Sequence, residues 1–264
     1  HPMSVGMRRG FQAAEVDEDE RMSARRAYFA AVTYLDEVIG DLLLRLEADG
    51  SLENTVIVYF SDHGEMLGEH GRWHKQCFFE GASRVPLIIS GCTAEPPATI
   101  DTPVSLVDLF PTVSRLVGKD IPFHVDGHDM LNPVPRESPV LSEFHEAKRS
   151  HRMIRRGQFK LNYYAGYETY ELFDLDADPG ENRNLSGNPG YEDIERQLRE
   201  ELFADGWSGT LAAEQGRYLE ELGYPVIRES SRTAEKLIEE GTLRDVPGYN
   251  TAVSWYENRL DEAP

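Results

Sequence analysis

Residues 61 to 75, SDHGEMLGEHGRWHK, gather the groups in this chain best suited to chemistry. Asp62 and His63 stand side by side, His70 and His74 lie four apart, and Lys75 is one of only five lysines. A carboxylate oxygen and an imidazole nitrogen are both good ligands for a divalent cation. A lysine ammonium can neutralise an oxyanion whose charge grows as a bond breaks. Each residue also has a plainer reading. An Asp-His pair after a strand serves as a cap or a hydrogen-bonded turn, and Lys75 serves as a solvated surface charge. Gly64 lets the chain bend sharply just after the pair.

The elements around this stretch say where it must sit. From Glu20 to Asp49 the apolar residues Tyr28, Val32, Leu35, Ile39, Leu42 and Leu46 recur in steps of 4, 3, 4, 3 and 4, which predicts a long helix with one buried face. Gly50 is placed to end it with a positive φ. TVIVYF, Thr55 to Phe60, is apolar throughout and β-branched, so it predicts a strand covered on both faces. PLIIS, Pro86 to Ser90, predicts a second. Helix, turn and buried strand suggest an α/β unit, and Asp62 and His63 fall just past the carboxyl end of its first strand, where open sheets bind ligands. The connection between the strands is long for a compact domain, and such loops are functional or contain a short helix. Farther on, Asp108 and Pro111 predict a capped helix running to about Val117, with Asp108 as its cap.

Composition shifts after Ile121. Residues 121–139 hold four prolines and read as a linker. Short strands are predicted at Val140 to Phe144, Arg152 to Arg156, Phe159 to Tyr163 and Tyr170 to Phe173, with RRGQF as a hairpin signal. A helix is predicted from Tyr191 to about Ala204. RTAEKLIEEG near the end has helical character, and the last thirty residues read as an extended arm.

A chain of 264 residues can bury a core, and 40% of it is hydrophobic. A net charge of −20 repels phosphate backbones, which argues against nucleic-acid binding. No apolar run has the length of a membrane span. An anionic substrate would need local positive charge from a metal, a lysine or a few arginines. Cys77 and Cys92 are too few for a disulfide framework and read as two buried thiols. The chain opens HPMSVGMRRG, without an initiator methionine or an apolar leader. It therefore reads as processed or as a piece of something longer, and the compartment stays open, with the cytoplasm favoured. Asp174, Asp176 and Asp178 mimic a calcium loop, but Gly180 comes one place late and Leu185 stands where a glutamate is needed. DLDADPG therefore reads as a turn.

The longer run YFSDHGEMLGEHGRWHKQCFFEGASRVPLIISG resembles, nearly position for position, the C-terminal signature of the sulfatase family in the alkaline-phosphatase superfamily. RRAYFAAVTYLDEVIGDLL is similar to that family's helix before the signature, and PVSLVDLFPTVSRLVG to the helix after it. MIRRGQFKL and YELFDLDADPGENRNL are similar to its C-terminal hairpins. Choline-sulfatase-like and iduronate-sulfatase-like enzymes are the nearest relatives suggested. The resemblance implies an α/β fold: residues 1–125 as the C-terminal portion of an alkaline-phosphatase-like sandwich, a mixed sheet flanked by helices, and residues 126–264 as a subdomain with a small antiparallel sheet, a helix and an extended tail.

It also implies roles. Asp62 and His63 match two ligands of the family's single divalent cation, with calcium the expected ion and manganese or magnesium the alternatives. Lys75 matches the lysine that contacts the sulfate group. His74 would line the substrate pocket, and His70 would belong to a structural turn. Glu80 and Arg84 would pair to shape the loop. The family's nucleophile is a formylglycine made from a C/S-x-P-x-R motif. Neither Cys77 nor Cys92 fits that motif, nor does any serine, so it is expected upstream. The implied activity is hydrolysis of sulfate monoesters by a larger enzyme of which this chain is the C-terminal part, inactive alone. The substrate would be a sulfated small molecule or saccharide, with no nucleic acid or membrane as partner, and a homo-oligomer through the tail. Two alternatives remain: a phosphonate or phosphate monoester hydrolase of the same superfamily, and a non-catalytic truncated module used for binding.

Overall fold

A computed structural model describes residues 16–91, 99–121, 124–132, 138–144, 151–165 and 168–205. All of them fall within one compact unit bounded by His1–Gly209. The 232–241 segment, the final arm and Cys92 lie outside the described residues.

Helix α1, Glu18–Ala48, starts at a reciprocal cap. The Asp17 carboxylate accepts the Glu20 N–H at 2.8 Å, and the Glu20 carboxylate accepts the Asp17 N–H at 3.1 Å. Glu18, Asp19 and Glu20 add negative charge where the helix dipole favours it. Gly50, at φ 80°, turns the chain out as the sequence predicts. The apolar stripe of α1 departs from expectation. No residue of the helix is buried, and Val32, Leu35 and Leu42 stay 46, 47 and 54% exposed. Periodicity identifies the face that is able to bury, and among the described residues that face stays mostly open, with only Ile39 and Leu46 half-buried.

Strand β1, Ile57–Phe60, is likewise half-exposed rather than covered on both faces. It pairs antiparallel with β2, Leu87–Ser90, in a two-stranded sheet, with Ile57 opposite Ser90 and Phe60 opposite Leu87. The intervening connection contains the short helix α2, Glu80–Ser83. Helix α3, Leu109–Leu116, follows at the place predicted. Asp108 stands at its cap position, but its side chain works elsewhere. The buried carboxylate accepts the Ser105 and His128 N–H groups, each at 2.8 Å, and so ties the preceding turn to a distant loop.

The C-terminal sheet runs β3, Val140–Phe144, β4, His151–Arg156, β5, Phe159–Tyr164, and β6, Thr169–Asp174, all antiparallel and in chain order. These are the predicted strands, each within a residue or two of its expected limits. Helix α4, Glu192–Leu202, lies on one face. Ile154, Leu161, Leu172, Leu185, Leu198 and Leu202 form a closed apolar cluster there. Buried Arg152 locks the far end of α4: its guanidinium donates to the Leu202 carbonyl and to both oxygens of Asp205, and pairs with Glu143 at 2.9 Å.

The opposite face of the sheet is polar yet also buried. Lys160, Asn162 and Tyr164 on β5 alternate with the apolar residues and have 0, 0 and 1% exposure. The Tyr164 hydroxyl donates to Glu171 at 2.6 Å, and burial together with that carboxylate pushes the phenol well above its ordinary range. A second apolar cluster, Met66, Cys77, Phe79, Ala82, Phe173 and Leu175, joins the loop after β1 to β6. Burial raises the Cys77 thiol, which suits an inert packing role.

Leu198 has no exposed surface, so Leu198→Ala should cost about 2–5 kcal/mol. Val117→Ala, at a position 63% exposed, should change stability by less than about 0.5 kcal/mol. Urea unfolding followed by circular dichroism separates the two.

Candidate functional site

The loop between β1 and α2 is built from its own backbone. The Gly68 N–H donates to the Arg72 carbonyl at 2.8 Å and the Met66 N–H to the His74 carbonyl at 3.1 Å, so the segment closes on itself twice. The Glu65 carboxylate accepts the His74 N–H. Buried Arg72 donates to the Gln76 carbonyl at 2.8 Å, and Arg25 reaches from α1 to the Leu67 carbonyl at 2.9 Å. Leu67, His70 and His74 all have left-handed backbones, at φ 51°, 51° and 66°. Non-glycine residues adopt that conformation only when their surroundings enforce it, and such positions cluster at functional sites.

Asp62 and His63 come together at the carboxyl end of β1. Asp62 Oδ2 lies 3.4 Å from His63 Nε2. His63 Nδ1 lies 2.9 Å from the Gly64 carbonyl oxygen. A carbonyl can only accept, so Nδ1 carries the proton and donates it. In the neutral ring Nε2 then keeps its lone pair, close to a carboxylate oxygen. Two acceptors that close repel unless a positive centre, a proton or a metal cation, is shared between them. A backbone carbonyl fixing the far nitrogen is also how metal-binding histidines are oriented. The pair therefore fits a cation as two donors of a larger set. Among the described residues no group of three or more His, Cys, Asp or Glu side chains completes it.

Lys75 and His74 follow on the same loop, both exposed. Among the described residues Lys75 forms no ion pair. His70 is structural, as expected. Its ring stacks on Phe79 with centroids 4.1 Å apart and planes 8° from parallel. The Glu80–Arg84 pair does not form. Glu80 points instead at the C-terminal sheet, where its carboxylate meets Lys160 at 2.8 Å and Arg155 at 3.4 Å. A buried ammonium at that distance outcompetes a side chain four residues along the chain. Asp174 and Asp178 use their carboxylates on the backbone of their own turn, accepting from the Asp176, Ala177 and Arg183 N–H groups.

Sequence reasoning missed Glu65, Lys160 and Glu181. Glu65 looks like any polar loop residue. The available signal for Lys160 is a rare lysine inside an apolar strand, FKLNYY.

Comparison with known proteins places these residues in context. The Sulfatase family model matches residues 5–119, and the model described as N-sulphoglucosamine sulphohydrolase, C-terminal, matches residues 68–205. The choline-sulfatase of Rhizobium meliloti (strain 1021) is 40% identical over 198 residues, covering 72% of this chain and 38% of that protein. A protein solved in complex with its substrate D-glucosamine-2-N,6-O-disulfate superposes with a TM-score of 0.62 at 26% identity, over 77% of this chain and 46% of the other. A phosphonate monoester hydrolase from Silicibacter pomeroyi gives a TM-score of 0.65 at 27% identity, over 74% and 44%. The chain spans well under half the length of the curated relatives it matches.

Burial of the His70 ring holds its proton affinity below the ordinary value of 6.5. The unfolded loop then binds the proton more readily than the folded loop. Its stabilisation is complete above that value and is lost as pH falls through the lower folded value. Proteolytic nicking of the 66–74 loop should therefore speed up on acidification from about pH 7 to about pH 5. His70→Asn, which tolerates the left-handed backbone, should show no such acceleration. An equal acid response in both proteins would contradict the assignment.

Proposed function

The chain belongs to the sulfatase family, and from that premise we propose that it forms the C-terminal part of a divalent-metal-dependent enzyme hydrolysing sulfate monoesters. The observation that carries the proposal is the Asp62–His63 pair. Its imidazole is fixed by the Gly64 carbonyl, and Nε2 lies 3.4 Å from a carboxylate oxygen, inside the stretch that the Sulfatase model matches.

The residues divide the work by their chemistry. Asp62 and His63 would hold the cation, with calcium favoured and manganese or magnesium as alternatives, through one hard oxygen and one borderline nitrogen. When bound, that ion supplies positive charge to polarise the sulfate oxygens. Lys75, which has no ion pair among the described residues, would bring its ammonium to the charge that builds on the leaving side of the S–O bond. His74, clamped by Glu65 and Met66, would present its ring to the rest of the substrate. A formylglycine outside these 264 residues would supply the nucleophile, since no C/S-x-P-x-R run occurs among them. A sulfated small molecule or saccharide as substrate draws support from the choline-sulfatase relative and from the neighbour solved with a glucosamine disulfate.

A second reading, phosphonate monoester hydrolysis, is favoured by the likeness to the Silicibacter pomeroyi enzyme. The pair and the lysine would serve a tetrahedral phosphonate by the same electrostatics. Turnover of an aryl sulfate and an aryl phosphonate, measured side by side in the complete enzyme, decides between them. Equal inactivity on both would point to a binding module.

In that enzyme, Lys75→Ala should lower kcat by about 100- to 1,000-fold, the usual effect of removing one stabiliser of a developing oxyanion. Asp62→Ala should lose far more turnover than Asp176→Ala, which alters only an exposed turn. Steady-state assays on folded variants check both, and equal losses for the two aspartates would defeat the metal role. The 264-residue chain by itself should give no turnover of either ester.

A further inference from the structure

Lys160 is the second residue of β5 and has no exposed surface. Its ammonium lies 2.8 Å from Glu80 Oε1 and 2.6 Å from Glu181 Oε1. Glu181 comes from the turn after β6 and holds a left-handed backbone at φ 52°. Its other oxygen accepts the Glu80 N–H at 2.5 Å. The first residue of α2 is thus gripped by side chain and by backbone, one grip ending on β5 and the other on the turn after β6.

The grip passes on to the candidate site through α2. The Ala82 carbonyl accepts the Gly64 N–H at 2.8 Å, and the Gly64 carbonyl receives His63 Nδ1 at 2.9 Å. Contact there is close enough that a Cβ on Gly64 would fall 2.1 Å from the Gly81 carbonyl oxygen. A shift of α2 must therefore carry Gly64 with it, and Gly64 sets the tautomer and direction of the His63 ring.

We propose that Lys160, far from Asp62 and His63 in sequence, is a positioning residue for that pair: by holding Glu80 and Glu181 it fixes α2, and α2 fixes Gly64 and the His63 ring. The proposal rests on the cation-binding reading of the pair, and two measurements keep the two ideas apart. The first is amide hydrogen exchange of the full 264-residue chain, read by mass spectrometry over residues 61–66 and over β5 and β6. The second is Mn2+ affinity by electron paramagnetic resonance, with the metal alone as probe.

Lys160→Met should speed exchange over 61–66 while β5 and β6 keep their protection. It should also weaken Mn2+ binding by roughly 10- to 100-fold, the usual cost of losing a group that orients a ligand. Lys160→Arg, which keeps the positive charge, should restore much of both. Leu198→Ala, which weakens the apolar face of the same sheet, should speed exchange over β5 and β6 but leave exchange over 61–66 and Mn2+ affinity near wild type. If Lys160→Met does not fold, Lys160→Met/Glu181→Gln removes the two buried charges together and carries the same test. Wild-type exchange over 61–66 in a folded variant lacking the ammonium would overturn the proposal. A wild-type chain that binds no Mn2+, yet shows the exchange response, would leave the positioning role standing and defeat the cation reading.

Discussion

A lysine ammonium withdrawn from water and held between two carboxylates is the interaction on which the rest of this structure turns. Lys160 has no exposed surface, and its partners Glu80 and Glu181 come from segments on either side of it in the chain. Taking such charges out of water costs several kcal/mol per ion, and the cost is recovered only when geometry and remaining hydrogen bonds are good. Here Glu181 keeps one oxygen 2.6 Å from the ammonium and gives the other to the Glu80 N–H, and Arg155 meets the second oxygen of Glu80. Burial pushes the Glu181 carboxyl upward, and the Lys160 charge pulls the other way. Losing one member would strand the others, which is why such a cluster fixes geometry more than it adds stability.

That anchor explains how a strained loop at the surface can hold a defined shape. The underside of the loop packs as apolar core through Met66, Cys77 and Phe79 against Phe173 and Leu175. Its upper side carries three left-handed residues, an exposed carboxylate beside a half-buried imidazole, and an exposed ammonium. In a chain with a net charge of −20, an anion approaching this loop meets broad repulsion. Local positive charge at Lys75 and at a cation on Asp62 and His63 would have to overcome it at short range, where screening is weakest.

Much of the architecture was legible in the sequence because it rests on local rules. The alternation and turn signals from residue 140 to 174 predicted four strands, and four antiparallel strands are present. Asp62 and His63 were legible less from the glycine turn after a strand than from the resemblance of the surrounding run to the sulfatase signature. What stayed hidden depends on contacts distant in sequence. Alternation in FKLNYY would send Lys160 and Asn162 to water, yet both are buried, because the loop after β1 covers that face of the sheet. The same blindness suggested a Glu80–Arg84 pair, since neighbours in sequence are the only partners a sequence displays. The apolar stripe of α1 fails differently: periodicity reports a capacity for burial, and the described structure leaves that capacity unused.

The spacing of the buried ion cluster bears on inheritance. Glu80 and Lys160 are 80 residues apart in the chain, and losing the positive charge at Lys160 would leave Glu80 and the buried Glu181 as neighbouring carboxylates. They must drift as one trait. A recombination crossover between diverged relatives, placed anywhere between them, would hand the two halves of the cluster to different lineages. Offspring would then inherit an intact loop and an intact sheet that no longer recognise each other. The segment from α2 through β5 should therefore pass between genomes whole.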